Sequence, residues 1–209
     1  MTEQTLDIPT PRGPARAHLD PAADPPAALV LGHGAGGGTD APDIVAAAGA
    51  AQAAGLSVAR VEQPYRVAGR RSPAPAGQLD EAWTAVVTAL AEGELGGVPL
   101  ILGGRSAGAR VACRTAAELG AVGVVCLAFP VHPPGKGDDA SKSRLGELDA
   151  VSVPVLVVQG ESDPFGMPPD APGRSVVRIS GNHSLRDAAA VSAAVADWLA
   201  TDPITRAPT

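Results

Sequence analysis

Short apolar runs alternate with alanine-rich runs along most of this 209-residue chain. Several apolar runs are hydrophobic at consecutive positions, which is typical of strands buried on both faces of a parallel sheet. The predicted strands are Ala27–Leu31, Ser57–Val61, Leu100–Leu102, Val122–Phe129, Val153–Val158 and Ser175–Ile179. The predicted helices are Ile44–Ala54, Gln78–Ala91, Ala107–Leu119 and Ala188–Leu199. This alternation predicts an α/β fold, a mostly parallel sheet with helices on both faces.

The chain length fits one domain, which we predict over residues 1–200. Residues 201–209, a polar and proline-containing end, are predicted to form a flexible tail. Residues 67–76 and 130–145 are rich in proline, glycine and charged residues, so both segments are predicted to be loops.

The composition excludes several classes of partner. A net charge of −6 and a pI near 5.1 argue against a nucleic-acid-binding protein, because such proteins usually carry a basic face. The amino end has no secretory pattern and no apolar run reaches membrane-spanning length, so we expect a cytoplasmic protein without a membrane partner. Cys113 and Cys126 have no metal-site spacing and are expected in the core, so neither a metal nor a cofactor is predicted.

The most informative segment is Gly104-Arg105-Ser106-Ala107-Gly108, which follows a predicted strand and begins a predicted helix. A Gly-x-Ser-x-Gly pattern in this context predicts a sharp turn that projects the serine hydroxyl above the sheet. The flanking glycines are expected where a Cβ would crowd the neighbouring chain. Ser106 is therefore the candidate nucleophile, although a serine in an ordinary tight turn is the alternative.

A serine nucleophile needs a base and an acid that orients the base. Asp163 and His183 each follow a predicted strand, and the order Ser106, Asp163, His183 is that of an α/β-hydrolase. Asp163 could instead be a turn residue, with Glu161 nearby, and His183 could be a loop or capping residue.

Two backbone N–H groups are candidates for holding the oxygen anion that forms during acyl transfer. Ala107 follows the candidate nucleophile at the predicted helix start, and Ala35 lies in the glycine-rich loop after the first predicted strand. That loop lacks a complete nucleotide-binding pattern, so phosphate binding is the poorer interpretation.

These motifs make the chain similar to the α/β-hydrolases. More narrowly, it resembles the hydrolase-like family that includes the testis-expressed and NSL-complex-subunit proteins, together with small bacterial members. The resemblance is carried by His33–Gly36, Pro64-Tyr65 with Gly69–Arg71, Gly103–Ser106, Phe129–Lys136, Gln159-Gly160 with Asp163–Gly166, and His183. It implies the fold and the triad positions, whereas the family offers little about a substrate.

The sequence thus favours a serine hydrolase that acts on a small ester or thioester, a small-molecule acyl substrate, through an acyl-enzyme. The segment after the fourth predicted strand has no room for a large lid, so the site should be open. Arg105 and His132 are candidates for binding the substrate, and Arg105 could equally bridge carboxylates structurally. A non-catalytic binding or scaffold protein, an acyltransferase and a peptidase stay open as alternatives.

Overall fold

The computed structural model describes residues 3–201. Its elements are eight strands, six α-helices and a short 3₁₀ helix, Ala140–Lys142, in this part of the chain. The strands are β1 (Gln4–Ile8), β2 (Ala15–Asp20), β3 (Ala28–Gly32), β4 (Ser57–Glu62), β5 (Leu100–Arg105), β6 (Gly123–Leu127), β7 (Val155–Gly160) and β8 (Arg174–Ile179). The helices are α1 (Pro42–Ala53), α2 (Pro64–Val67), α3 (Ala76–Glu92), α4 (Ala107–Thr115), α5 (Leu145–Asp149) and α6 (Ala188–Thr201). The predicted tail lies outside the described residues except for Thr201.

All strands belong to one sheet in the order β1-β2-β4-β3-β5-β6-β7-β8. Strands β3 to β8 pair in parallel, which confirms the predicted α/β fold. The six predicted strands correspond to β3–β8, with shifts at their ends.

The antiparallel pairing of β1 with β2 and of β2 with β4 was not predicted. Along β2 the inward positions are Ala15, Ala17 and Leu19, and the intervening side chains are polar or charged. Two of these three inward residues are alanines, which favour strands only weakly, so the alternation is hard to recognise in the sequence.

The sheet separates two apolar layers. On one face, α3 and α4 pack Trp83, Val86 and Ala109 against the strands. On the other face, α1 and α6 contribute Ile44 and Trp198 to a second cluster. Continuous burial of β3, β6 and β7 follows from this covering on both sides.

The connection from β6 to β7, residues 128–154, is fully described and contains only the 3₁₀ helix and the five-residue helix α5. The expectation that no large lid covers the carboxyl edge of the sheet is therefore confirmed. No helix in the described range 3–201 is long and apolar enough to cross a membrane.

Candidate active site

Ser106 lies at the turn between β5 and α4. Its backbone dihedral angles are φ 52° and ψ −104°, a strained region for a residue with a side chain. The Ser106 N–H donates to the Leu127 carbonyl at 2.9 Å, which ties the turn to the end of β6. The sharp turn expected from the sequence is present, and it lies at the carboxyl edge of the parallel strands.

Close contact with β3 explains the two glycines around Ser106. A Cβ on Gly104 or on Gly108 would lie 2.4 Å from the Gly32 carbonyl oxygen. Because that oxygen belongs to a central strand, it cannot move aside at low cost. The turn can therefore approach the sheet only with glycine at both positions.

Ser106, His183 and Asp163 form a continuous hydrogen-bonded chain. The Ser106 Oγ lies 2.9 Å from His183 Nε2, and His183 Nδ1 lies 2.8 Å from Asp163 Oδ2. Since a carboxylate only accepts, the proton belongs on Nδ1, and Nε2 is left to accept the proton of the Ser106 hydroxyl. The structure thus brings together the three residues that sequence reasoning selected from separate strand ends.

Asp163 is held in place by donors on both of its oxygens. Gln159 Nε2 donates to Oδ2 at 2.8 Å, and the Phe165 N–H donates to Oδ1 at 2.8 Å. Only 1% of the Asp163 side chain is exposed, and Gln159 is fully buried. The Phe165 ring packs against the His183 imidazole, with ring centroids 4.1 Å apart. These contacts orient the imidazole toward Ser106.

The loop that carries Ala35 is fixed by His33 and Tyr65. His33 Nε2 accepts the Gln63 N–H at 3.1 Å, so its Nδ1–H donates to the Gly34 carbonyl at 2.8 Å. Burial lowers the pKa of His33, which keeps the ring neutral in this arrangement. The Tyr65 hydroxyl donates to the Ala35 carbonyl at 2.8 Å and thereby orients that residue.

Ala35 and Ala107 lie in the wall of a cavity of about 290 Å³ that also exposes Ser106. Within residues 3–201, neither backbone N–H has a hydrogen-bond partner, and Ala107 is the first residue of α4. A larger cavity of about 370 Å³ shares Ala74 and Leu79 with it, but Ser106 is not part of its wall. The candidate active site therefore lies at the smaller cavity.

Arg105 is occupied by contacts within the protein. Its Nε donates to Asp43 Oδ2 at 2.7 Å, and its Nη2 donates to the His183 carbonyl at 2.9 Å. Asp43 is 1% exposed, and burial raises its pKa despite the opposing effect of Arg105. Of the two roles considered for Arg105, this geometry favours the structural one, although it bridges a carboxylate to a carbonyl and not two carboxylates.

His132 is not among the described residues that line the cavity. Its Nδ1 is 2.8 Å from the Pro133 carbonyl oxygen, and its Nε2 faces Gly137 and Gly166. The ring fills space between two loops. Nothing in this position favours substrate binding by His132.

A family model described as "Alpha/beta hydrolase domain" matches residues 25–189. The chain belongs to this family. None of the curated proteins is significantly similar to this α/β-hydrolase in sequence.

Solved structures of similar fold align with nearly the whole length of this α/β-hydrolase. XC6422 from Xanthomonas campestris, a serine hydrolase without a lid, has a TM-score of 0.72 at 22% identity, covering 97% of this chain and 98% of that one. A serine hydrolase homologue from Coxiella burnetii has a TM-score of 0.76 at 18% identity, covering 95% and 98%. Est1E from Butyrivibrio proteoclasticus has a TM-score of 0.72 at 17% identity, covering 94% and 97%. At sequence identities this low, the structural similarity establishes the fold alone.

Sequence reasoning missed the supporting residues of this α/β-hydrolase site. Asp43, Gln159 and Tyr65 each hold a predicted site residue or its loop, and Arg144 lines the cavity. Tyr65 and Gln159 lie within motifs quoted for the family resemblance, which is the one signal that pointed to them. Neither Asp43 nor Arg144 has a local sequence signal, because only the fold brings Asp43 to Arg105 and Arg144 to the cavity.

Proposed function

We propose that this protein is a serine hydrolase that acts on a small ester or thioester through Ser106, His183 and Asp163. The observation that carries the proposal is the continuous chain of hydrogen bonds of 2.9 and 2.8 Å from the Ser106 hydroxyl through His183 to the buried Asp163. The two free N–H groups of Ala35 and Ala107 at the same cavity support it.

The reaction follows from these positions. His183 Nε2 takes the hydroxyl proton as Ser106 Oγ attacks the carbonyl carbon of the substrate, and the Ala35 and Ala107 N–H groups hold the developing oxyanion. Asp163 stabilises the imidazolium. As the tetrahedral intermediate collapses, His183 returns the proton to the leaving alcohol or thiol, and the acyl group stays on Ser106. Water, deprotonated by His183, then releases the acyl group as a carboxylic acid and restores Ser106.

The cavity favours a small acyl group. Its volume of about 290 Å³ lies just below the roughly 300–1,000 Å³ found for small-molecule sites. The short connection after β6 leaves the site open, and Phe165 is the single aromatic residue in the described wall. A long hydrocarbon chain would therefore remain largely exposed to water.

We also infer a narrower relationship to the family that includes the testis-expressed and NSL-complex-subunit proteins, and a cytoplasmic location. The motif His33–Gly36 supports the relationship because it forms the loop that carries Ala35, and Gly103–Ser106 supports it because it forms the turn of the candidate nucleophile. The location is supported by Cys113 and Cys126, whose sulfurs lie 3.5 Å apart as free thiols.

The test is covalent labelling of the purified protein with a fluorophosphonate. We expect one adduct per chain on the peptide that contains Ser106, and loss of the adduct in Ser106→Ala and His183→Ala. Ser192→Ala on α6, which removes a hydroxyl far from the cavity, is the matched control and should label like wild type. Intact mass and peptide mapping provide the readout.

Absence of an adduct on a correctly folded wild type would refute the hydrolase proposal and favour the binding or scaffold alternative. If the adduct forms, an ester and a thioester that share one acyl group separate carboxylesterase from thioesterase activity. Added alcohol or amine acceptors and a peptide substrate then distinguish the acyltransferase and peptidase alternatives.

A further inference from the structure

Three arginines line the cavity that exposes Ser106. They are Arg110, Arg114 and Arg144, and the described wall includes no aspartate or glutamate. This positive wall contrasts with the net charge of −6 for the whole chain. Positively charged side chains around the candidate nucleophile of an acidic protein produce a local electrostatic potential that favours anions.

Two of the three guanidinium groups are committed to neighbouring carboxylates. Arg110 Nε and Nη2 donate to the two oxygens of Glu147 at 2.7 and 2.5 Å. Arg114 Nε and Nη2 donate in the same way to Asp80 at 2.8 and 2.6 Å. The remaining Arg114 Nη1 lies 3.2 Å from Glu147 Oε1 but lacks hydrogen-bond geometry. Two carboxylates therefore offset two of the three positive charges.

Arg144 has no such partner within residues 3–201. Its backbone N–H donates to the Val131 carbonyl at 2.7 Å, which fixes the start of α5, whereas no carboxylate hydrogen-bonds its side chain. Partial burial lowers the pKa of Arg144, and the nearby Arg110 and Arg114 lower it further against the opposing effect of Glu147. The Arg144 guanidinium thus lies at the cavity wall with no carboxylate paired to it in the described residues.

We propose that Arg144 forms an anion subsite in the cavity, so that the preferred substrate carries a carboxylate or phosphate group in addition to the acyl carbonyl placed at Ser106. The planar guanidinium matches both anions through paired N–H donors. An anionic group on the substrate supplies Arg144 with the negative charge that no carboxylate of the described residues provides. The inference rests on the proposed function, because it names the chemistry of the substrate for the same site.

The anion can belong to the acyl group or to the leaving group, and two pairs of esters distinguish these sources. Mono-p-nitrophenyl glutarate carries a carboxylate on its acyl chain, and its methyl ester is the neutral counterpart. 4-Acetoxybenzoate carries a carboxylate on the leaving group, and methyl 4-acetoxybenzoate is its neutral counterpart. Values of kcat and KM are measured for all four with wild type, Arg144→Gln, Arg144→Lys and Lys142→Gln.

Wild type is expected to prefer one anionic ester over its neutral counterpart by about tenfold or more in kcat/KM. Arg144→Gln should abolish this preference, mainly through a higher KM for the preferred anionic ester. Arg144→Lys should retain part of the preference. Lys142→Gln is the matched control because it removes one positive charge from the same segment at an exposed position outside the cavity wall.

Two results overturn the anion subsite while the hydrolase proposal stands. One is hydrolysis of the anionic and neutral esters with similar kcat/KM, and the other is a preference for an anionic ester that Arg144→Gln leaves intact. Failure to hydrolyse any of the four refutes the proposed esterase activity, and binding then decides the subsite separately. Isothermal titration with glutarate and with inorganic phosphate should show binding to wild type and Lys142→Gln that is lost in Arg144→Gln. Equal binding by all three proteins, or none, overturns the inference.

Discussion

Arg105 donates through Nη2 to the main-chain carbonyl of His183, 78 residues further along the chain, at 2.9 Å. The residue before the candidate nucleophile thereby holds the backbone of the candidate base. Its Nε is in turn fixed by the buried Asp43. The side chain that sequence reasoning offered for substrate binding thus contacts the main chain of the candidate base and is not part of the cavity wall.

Replacing Arg105 with alanine should cause two separable losses. It leaves Asp43 buried without its cation, which is expected to lower the free energy of unfolding by about 3–5 kcal/mol, measured by urea denaturation. It also frees the His183 carbonyl, so fluorophosphonate labelling of Ser106 should slow by roughly tenfold or more. Adding Asp43→Asn to Arg105→Ala should recover part of the stability but not the labelling rate. Recovery of both the free energy of unfolding and the labelling rate would show that Arg105 acts only by neutralising Asp43.

Gly108→Ala should be severely destabilising because the new methyl would lie 2.4 Å from the Gly32 carbonyl oxygen. We expect a loss of about 3 kcal/mol in the free energy of unfolding, together with loss of labelling at Ser106. Gly49→Ala is the matched control, since Gly49 is an exposed position in α1 where a Cβ meets nothing within 4 Å. The control should gain about 0.5–1 kcal/mol. Similar effects for both substitutions would contradict the close approach of α4 to β3.

His33 should make stability depend on pH. Its pKa is lowered in the folded protein from an ordinary value of 6.5, chiefly by burial. As pH falls below about 6.5 the unfolded chain gains a proton that the folded chain does not, so the free energy of unfolding decreases, by at most about 1.4 kcal/mol per pH unit. Above that pH the contribution is fully present. His33→Gln lacks this titration, so the stability difference between wild type and variant should shrink toward acid pH. Parallel pH profiles would rule out His33 as the source.

Tyr65→Phe removes the hydroxyl that donates to the Ala35 carbonyl. The loop that offers the Ala35 N–H should loosen, and ester hydrolysis is expected to fall by roughly tenfold, less than the 10²–10³-fold typical when a donor to the oxyanion is removed outright. The free energy of unfolding should fall by only about 1 kcal/mol. Since burial raises the pKa of Tyr65 to about 12, the hydroxyl remains a donor at assay pH. A fall in kcat/KM that is constant from pH 7 to 9 supports this role, and unchanged activity contradicts it.

The sequence was sufficient for the parallel part of the fold and for the grouping of Ser106, Asp163 and His183. Each of these follows an apolar run, and the carboxyl ends of parallel strands meet at one edge, so local patterns determine their placement. Contacts between distant polar residues could not be predicted in this way. Asp43 and Arg105 are 62 residues apart, and nothing in the neighbourhood of either identifies the other as its partner.

The charge of the cavity is another such case. Arg110, Glu147 and Arg144 lie on α4 and in the segment after β6, so the balance of their charges depends on how these segments pack. Arg105, the arginine that the sequence made prominent, is a different residue. Long polar side chains adopt the geometry of whichever partner the fold supplies, and composition alone does not specify that partner.

The bidentate salt bridge between Arg110 and Glu147 has a kinetic consequence. A lid in the segment after β6 would have to move before substrate entered the site. Here that segment is fastened to the helix that begins beside Ser106. Turnover should therefore follow simple saturation with dissolved monomeric ester from the first seconds, with no lag and no jump in rate when the substrate begins to form droplets or micelles.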